Sequence, residues 1–268
     1  IMRTIEKLSS LKGRTALITG GAGHIGYAAA ETILELGGSV VLLDLNQEIL
    51  DEKIQSLKND FSSDVSAFTF DLADESQVRS IGEKVVEKHE SVDVVINCAA
   101  MVGTSQSKGW NTPFETQDSD TWRKSMEINL HAPIFLIQSL IPYLKQAKSP
   151  SVINISSIYG MVGPDLRIYG NTEIGSPGAY AAAKGGLTQM SKWLATVLSP
   201  EVRVNTITCG GVFRGQEEEF VKNYSAKVPL GRMAIEEDFK GAIAYLSSDL
   251  SSYVTGQNIV VDGGWTTW

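Results

Sequence analysis

Two cysteines, Cys98 and Cys209, and three histidines in 268 residues leave no raw material for a disulfide framework or a structural zinc site. Basic residues are scarce as well: 23 Lys and Arg face 31 Asp and Glu, a net charge of −8 with no basic cluster against it. That balance excludes a nucleic-acid surface and leaves a small molecule as the expected partner. No run of ~18 apolar residues occurs. The stretch Met2 to Lys7 lacks the apolar core of a signal peptide, so no membrane association and a reducing, cytoplasmic setting are expected. What the chain does have is 43% apolar residues with ordinary Gly and Pro, a composition that folds around a substantial core.

Short β-branched runs alternate with longer amphipathic stretches. Strands are predicted at 15–19, 39–44, 65–70, 92–97, 151–155, 202–207 and 258–262, and helices near 25–37, 46–59, 74–90, 118–146, 178–199 and 236–248. This βαβ rhythm predicts an α/β fold, a doubly wound (Rossmann) arrangement with a seven-stranded parallel sheet flanked by helices, and the whole of 1–268 reads as a single domain. Three segments interrupt the rhythm: 101–117, 160–178 and 211–228. The first two leave the carboxyl ends of strands, where such sheets bind ligands, and the third reads as a helical flap.

Directly after the first strand comes Thr19-Gly20-Gly21-Ala22-Gly23-His24-Ile25-Gly26. Glycines at this place let the backbone approach a pyrophosphate at a helix N-terminus, which makes Gly20, Gly23, His24, Ile25 and Gly26 candidate cofactor-binding residues. Eighteen residues beyond Gly26 the second strand ends in Asp44, followed by Leu45. A carboxylate there accepts both ribose hydroxyls of an adenosine and repels a 2′-phosphate, so the reading is NAD rather than NADP. The bland alternative is that the glycines serve packing and Asp44 caps the next helix. Asp71, with Leu72 beside it, either accepts from the adenine amino group or caps the helix at 74–90. Asn97-Cys98-Ala99-Ala100 ends the fourth strand with small residues suited to the nicotinamide half; Cys98 reads as a small buried hydrophobe rather than a nucleophile.

Tyr180 and Lys184 stand four apart, on one face of a predicted helix, so that the ammonium can favour the ionised phenol. Chance supplies about half of one such pair in a chain of this composition. The other tyrosines serve as controls, and none has Lys four positions on. The spacing gains weight from its company.

Taken in order, the glycine loop, Asn97 to Ala100, Asn154-Ile-Ser-Ser157, Tyr180 to Lys184, and Val254 to Gly264 resemble the motifs of the short-chain dehydrogenase/reductase family over essentially the whole chain. The resemblance implies Tyr180 as acid/base, Lys184 at the nicotinamide ribose, Ser157 on the substrate oxygen and Asn129 in a water-linked proton relay. It implies an NAD-dependent enzyme interconverting a secondary alcohol and a ketone, and a homotetramer or dimer built on the helices at 118–146 and 178–199, with Trp265 and Trp268 joining the contacts. Two departures stand out. Gly20-x-x-Gly23-x-x-Gly26 is the spacing of the family's extended, sugar-nucleotide-modifying branch, but no second domain of that branch follows Gly264, which favours the compact type. The usual Pro-Gly after the sixth strand is Cys209-Gly210, and Arg214 replaces the Thr expected to reach the carboxamide, leaving Gly210 and a backbone group near Val212 to hold it.

Twenty-three positions separate Ser157 from Tyr180, where the family has about a dozen, so an insertion borders the site. Its polar character, with Arg167 and Tyr169 in it and Arg214 on the flap, points to a hydroxylated and anionic substrate such as a sugar, sugar acid or sugar phosphate. The alternative leaves both arginines in ordinary surface ion pairs. The insertion and the Gly210 to Arg214 run also resemble dehydrogenases of bacterial surface-sugar or flagellin-glycan synthesis. Competing activities are a 3-oxoacyl thioester reductase, a sugar-nucleotide epimerase or dehydratase holding NAD tightly, and a non-catalytic NAD sensor.

Overall fold

A computed structural model describes residues 2–62, 64–89, 91–102, 105, 107–170 and 175–268. Parts of two of the interrupting segments, 103–104, 106 and 171–174, lie outside the described residues. The strands are β1 (Thr15–Thr19), β2 (Ser39–Asp44), β3 (Val65–Thr69), β4 (Val94–Asn97), β5 (Ser151–Ser157), β6 (Arg203–Cys209) and β7 (Asn258–Val261). They form one all-parallel sheet in the order β3-β2-β1-β4-β5-β6-β7. The order reverses between β1 and β4, and ligands bind at the crevice such a reversal opens. β5 and β6 run two residues further than their β-branched runs predict, because in-register pairing from Ser151↔Arg203 to Ser157↔Cys209 carries the ladder to the cleft.

The helices are α1 (Ile5–Ser9), α2 (His24–Glu35), α3 (Gln47–Asp60), α4 (Glu75–Val86), α5 (Ser119–Met126), α6 (Ala132–Leu144), α7 (Gly178–Val197), α8 (Glu218–Ser225) and α9 (Lys240–Ser247). One face of the sheet packs on apolar residues of α2, α3 and α9, among them Ile33, Leu50 and Ile243. The other packs on α4, α6 and α7 through residues such as Ile81, Leu136 and Leu194. Both faces covered is the usual condition of a parallel sheet, and it explains strands buried along their length.

Three expectations need correction. The long helix at 118–146 is broken by a π-helical turn, Glu127–His131, in which the Ala132 N–H donates to the Glu127 carbonyl. Apolar periodicity continues through such a turn and does not reveal it. Neither Asp44 nor Asp71 caps a helix: Asn46 accepts from Ile49 N–H to start α3, and Asp74 accepts from Ser76 and Gln77 to start α4. Trp265 is not available for contacts between subunits, since it is buried and stacked on Tyr224 at 4.4 Å between ring centroids; Trp268 is exposed. The flap at 211–228 contains α8, as read from its sequence. Among the described residues no helix is long and apolar enough to cross a membrane, and no His, Cys, Asp and Glu cluster could hold a metal.

Candidate active site

The carboxyl ends of β1, β2, β4, β5 and β6 open into a cleft of about 920 Å³, near the upper end for small-molecule sites. One end is built by the glycine loop. Gly20 has φ 65°, and a Cβ there would stand 2.8 Å from the Ala99 Cα. A Cβ on Gly26 would overlap the Gly20 carbonyl oxygen, so the turn and the start of α2 touch with no room for a side chain. α2 begins at Gly23 without a side-chain cap, and the first N–H groups of a helix lack intrahelical partners. The cradle fits a dinucleotide diphosphate. Gly26→Ala is expected to lower the melting temperature by several degrees and to weaken NADH binding at least tenfold. Thermal unfolding with and without NADH checks both.

Asp44, at the end of β2, accepts from Ala22 N–H at 3.1 Å through one carboxylate oxygen and from Leu45 N–H at 2.8 Å through the other. The carboxylate is thereby aimed across the glycine loop, with lone pairs left for a diol. Leu45, Asp71, Leu72, Ala99, Gly210 and Val212 line the same cleft with the glycine loop's His24 and Ile25. His24 Nδ1 is also 2.6 Å from Glu236 Oε1, which ties the loop to the segment before α9.

The chemical end lies on β5 and α7. Ser157, the last residue of β5, accepts from Tyr159 N–H at 3.2 Å, and it lines the cleft with Tyr180, whose phenol it favours in the ionised form. Lys184, one turn further along α7, is buried, donates to the Ile155 carbonyl at 2.7 Å and lies 5.9 Å from the Tyr180 ring centroid. Burial pushes the Tyr180 phenol up to about 12, against the lowering effects of Ser157 and the Arg214 charge. Burial also brings Lys184 down to about 8. The sequence reading had Lys184 easing ionisation of Tyr180; in the folded protein desolvation is the larger effect and holds the phenol protonated.

Lys184 therefore carries a stability signature. Between pH about 8 and the ordinary 10.5 the unfolded chain binds more protons at this position than the folded one, so its contribution to stability rises with pH across that window. Lys184→Met is expected to remove that rise. Paired denaturation curves through the window test it.

Cys98 and Cys209 line the cleft beside this pair. Burial pushes the Cys98 thiol up to about 11 and the Cys209 thiol higher still, so both stay protonated and poorly nucleophilic.

Three expected site residues do not face the cleft. Asn97 Nδ2 donates to Asn154 Oδ1 at 2.8 Å, and Asn154 donates on to Ser191, so this side chain ties β4 to β5 and α7. Asn129 accepts from Met101 N–H at 2.8 Å and donates to the Met101 carbonyl and to Ser125. It pins the segment after β4 from within the π-turn, and both ends of its amide are occupied. Arg167 is exposed, with its Nε and a terminal nitrogen each 2.8 Å from a different oxygen of Asp165. That is the surface ion pair of the alternative reading.

Tyr169 and Arg214 do line the cleft. Tyr169 and Tyr159 share a hydrogen bond between phenol oxygens at 2.7 Å, and burial raises both above the ordinary phenol value. Asp165, ion-paired with Lys227 as well as Arg167, joins the insertion to the segment after α8, and Tyr169 packs 5.5 Å from Phe220 between ring centroids. Tyr159, Phe220, Met233 and Lys124 reach the cleft without having been singled out. Tyr159 could have been found by its place two residues past Ser157, and Lys124 by standing one helical turn before Ile128.

Comparisons with known proteins agree on the kind of molecule. A family model described as "Enoyl-(Acyl carrier protein) reductase" matches residues 20–266. Post-translational flagellin modification protein A of Campylobacter coli is 29% identical over 257 residues, covering 95% of this chain and 99% of that one. A 3-oxoacyl-[acyl-carrier-protein] reductase of Thermotoga maritima is 30% identical over 261 residues, covering 95% and 98%. Among solved structures, a short chain dehydrogenase from Leptospira borgpetersenii with bound NAD+ has a TM-score of 0.82 at 32% identity, covering 99% of this chain and 97% of that one.

Proposed function

Because the chain belongs to the short-chain dehydrogenase/reductase family, we propose that it is an NAD-dependent oxidoreductase interconverting a secondary alcohol and a ketone on a polar, sugar-like or sugar-acid substrate. One observation carries this reading: Ser157, Tyr180 and buried Lys184 share a single cleft with the glycine loop and Asp44. NAD, when bound, accepts or supplies the hydride at its nicotinamide ring. The glycine loop and the start of α2 would hold its diphosphate, Asp44 its adenosine ribose, and Gly210 and Val212 its nicotinamide half.

Ser157 binds the substrate oxygen and fixes its direction toward Tyr180. In the direction of ketone reduction the Tyr180 phenol gives its proton to the carbonyl oxygen as charge develops there, and Ser157 steadies that charge. In the reverse direction the same oxygen takes the alcohol proton. Holding the phenol protonated suits the first direction at neutral pH. The positive charge of Lys184 eases formation of the phenolate, and its bond to the Ile155 carbonyl fixes it 5.9 Å from the Tyr180 ring centroid.

Tyr159, Tyr169 and Ser105 line the cleft, and their hydroxyls support a polyhydroxylated substrate; the likeness to the flagellin modification protein supports surface-glycan chemistry. The likeness to the Thermotoga reductase supports a second reading, reduction of a 3-oxoacyl thioester. Exposed Trp193 and Val197 on α7 support a homo-oligomer. The test is the absorbance of NADH as the protein meets NAD+ with polyols, sugar acids and sugar phosphates, beside a 3-oxoacyl thioester with NADH or NADPH. NADH formation from a hydroxylated compound is expected. Turnover of the thioester alone selects the second reading, and NADH binding with no turnover at all leaves a non-catalytic sensor.

A further inference from the structure

The glycine loop, Gly20 to Gly26, contains no Lys or Arg, yet on the reading above it receives a group with two negative charges. The N–H groups at the start of α2 offset part of that charge, and any full counter-charge has to come from elsewhere in the cleft. Among the described residues Arg214 and Lys124 both line the cleft with no hydrogen-bond or ion-pair partner at the charged end, and of the two it is Arg214 that stands on the strip leading to the glycine loop. Its backbone is held firmly. Val212 forms a parallel bridge with Ala234, Phe213 N–H donates to the Ala234 carbonyl at 2.8 Å, and Ala234 N–H donates to the Gly211 carbonyl at 2.9 Å. Gln216 closes the turn, accepting from Arg214 N–H at 2.7 Å and donating to the Val212 carbonyl at 2.8 Å.

The strip that carries this turn is the one that reaches the glycine loop. Two residues beyond Ala234, Glu236 meets His24 at the first residue of α2. A chain of short contacts therefore runs from Arg214 to the N-terminus of α2. The charge of Arg214 is felt at both ends of the interval. Burial raises the Glu236 carboxyl, but its own backbone N–H, His24 and the Arg214 charge bring it below the usual value. At the other end, burial raises Tyr180 and Cys98, and the same guanidinium opposes both shifts. Between Glu236 and Tyr180 lies the stretch where a dinucleotide anchored at Asp44 must pass its diphosphate toward the reacting ring.

Resting on the NAD reading, we infer that Arg214 is the counter-cation of the cofactor diphosphate, supplied by the flap across the cleft from the glycine loop rather than by the loop itself. A guanidinium fork matches phosphate oxygens in two places at once. Arg214 then belongs to cofactor binding, and anion recognition on the substrate side does not depend on it.

Equilibrium titrations with NADH, ADP-ribose and adenosine test the assignment. Arg214→Ala is expected to weaken NADH and ADP-ribose about ten- to hundredfold, the worth of hydrogen bonds to a charged group, to leave adenosine unchanged, and to flatten the salt dependence of NADH binding. Arg214→Gln, which keeps a polar N–H donor but neither the charge nor the full reach, should behave like Arg214→Ala; Arg214→Lys, which keeps charge, should recover part of the loss. Unchanged NADH and ADP-ribose affinity in both neutral variants, with or without a raised KM for the substrate, overturns the inference while the NAD reading stands. Wild-type protein that binds neither NADH nor ADP-ribose overturns both.

Discussion

Tyr180→Phe is expected to keep NADH binding within about twofold of wild type while slowing hydride transfer by roughly 1000-fold, the scale of a lost general acid. The substitution removes one oxygen and little else. The ring packs beside Met101, Trp110 and Ala179, an apolar setting that phenylalanine fills equally well. Its hydroxyl, by contrast, is held above the ordinary phenol value by burial, so it is a desolvated polar group retained at a cost to stability. The variant should therefore melt no lower than wild type. If the phenol acts only as the reaction's barrier is crossed, kcat and kcat/KM fall together, whereas a raised KM alone would mean that it merely binds substrate. Unimpaired turnover in the folded variant would remove Tyr180 from the chemistry.

Asp44→Ser is expected to change coenzyme preference rather than rate. Two like charges about 4 Å apart at an effective dielectric of about 20 repel by about 4 kcal/mol, so the native carboxylate opposes a 2′-phosphate strongly. Removing it should shift the ratio of NADPH to NADH affinity by on the order of 100-fold toward NADPH, allowing for solvent at the open end of the cleft. Structural side effects should be small. Asn46, not Asp44, caps α3, and a serine oxygen remains to accept from Ala22 N–H. Paired titrations of the variant with both reduced coenzymes measure the shift, and an unaltered ratio would mean that Asp44 does not face the ribose.

The cofactor half of the cleft was legible because its chemistry depends on backbone. A glycine that must clear Ala99, or one that must touch the Gly20 carbonyl, leaves a mark in the sequence, as does an acid at a strand end. Ser157, Tyr180 and Lys184 were legible for a related reason, since strand pairing and helical spacing together fix where their side chains go. Side chains whose roles depend on partners were harder. Asn97 and Asn129 looked available, but the Asn97 amide nitrogen is committed to Asn154 and both ends of the Asn129 amide to the Met101 backbone, contacts between segments distant in the chain. Arg167 and Arg214 looked alike as cations bordering the pocket. Asp165, two residues from Arg167, claims the first, and nothing local claims the second. The π-turn was hidden because it is a single turn, and one shift of phase within a mostly apolar stretch is too short to stand out from ordinary helical periodicity.

The central claim is an NAD-selective cleft joined to a tyrosine-based acid/base site, and equilibrium titration of the wild-type protein with NADH and with NADPH tests it most directly. Saturable NADH binding at least tenfold tighter than NADPH binding is expected. NADPH bound as tightly as NADH, or more tightly, would contradict it.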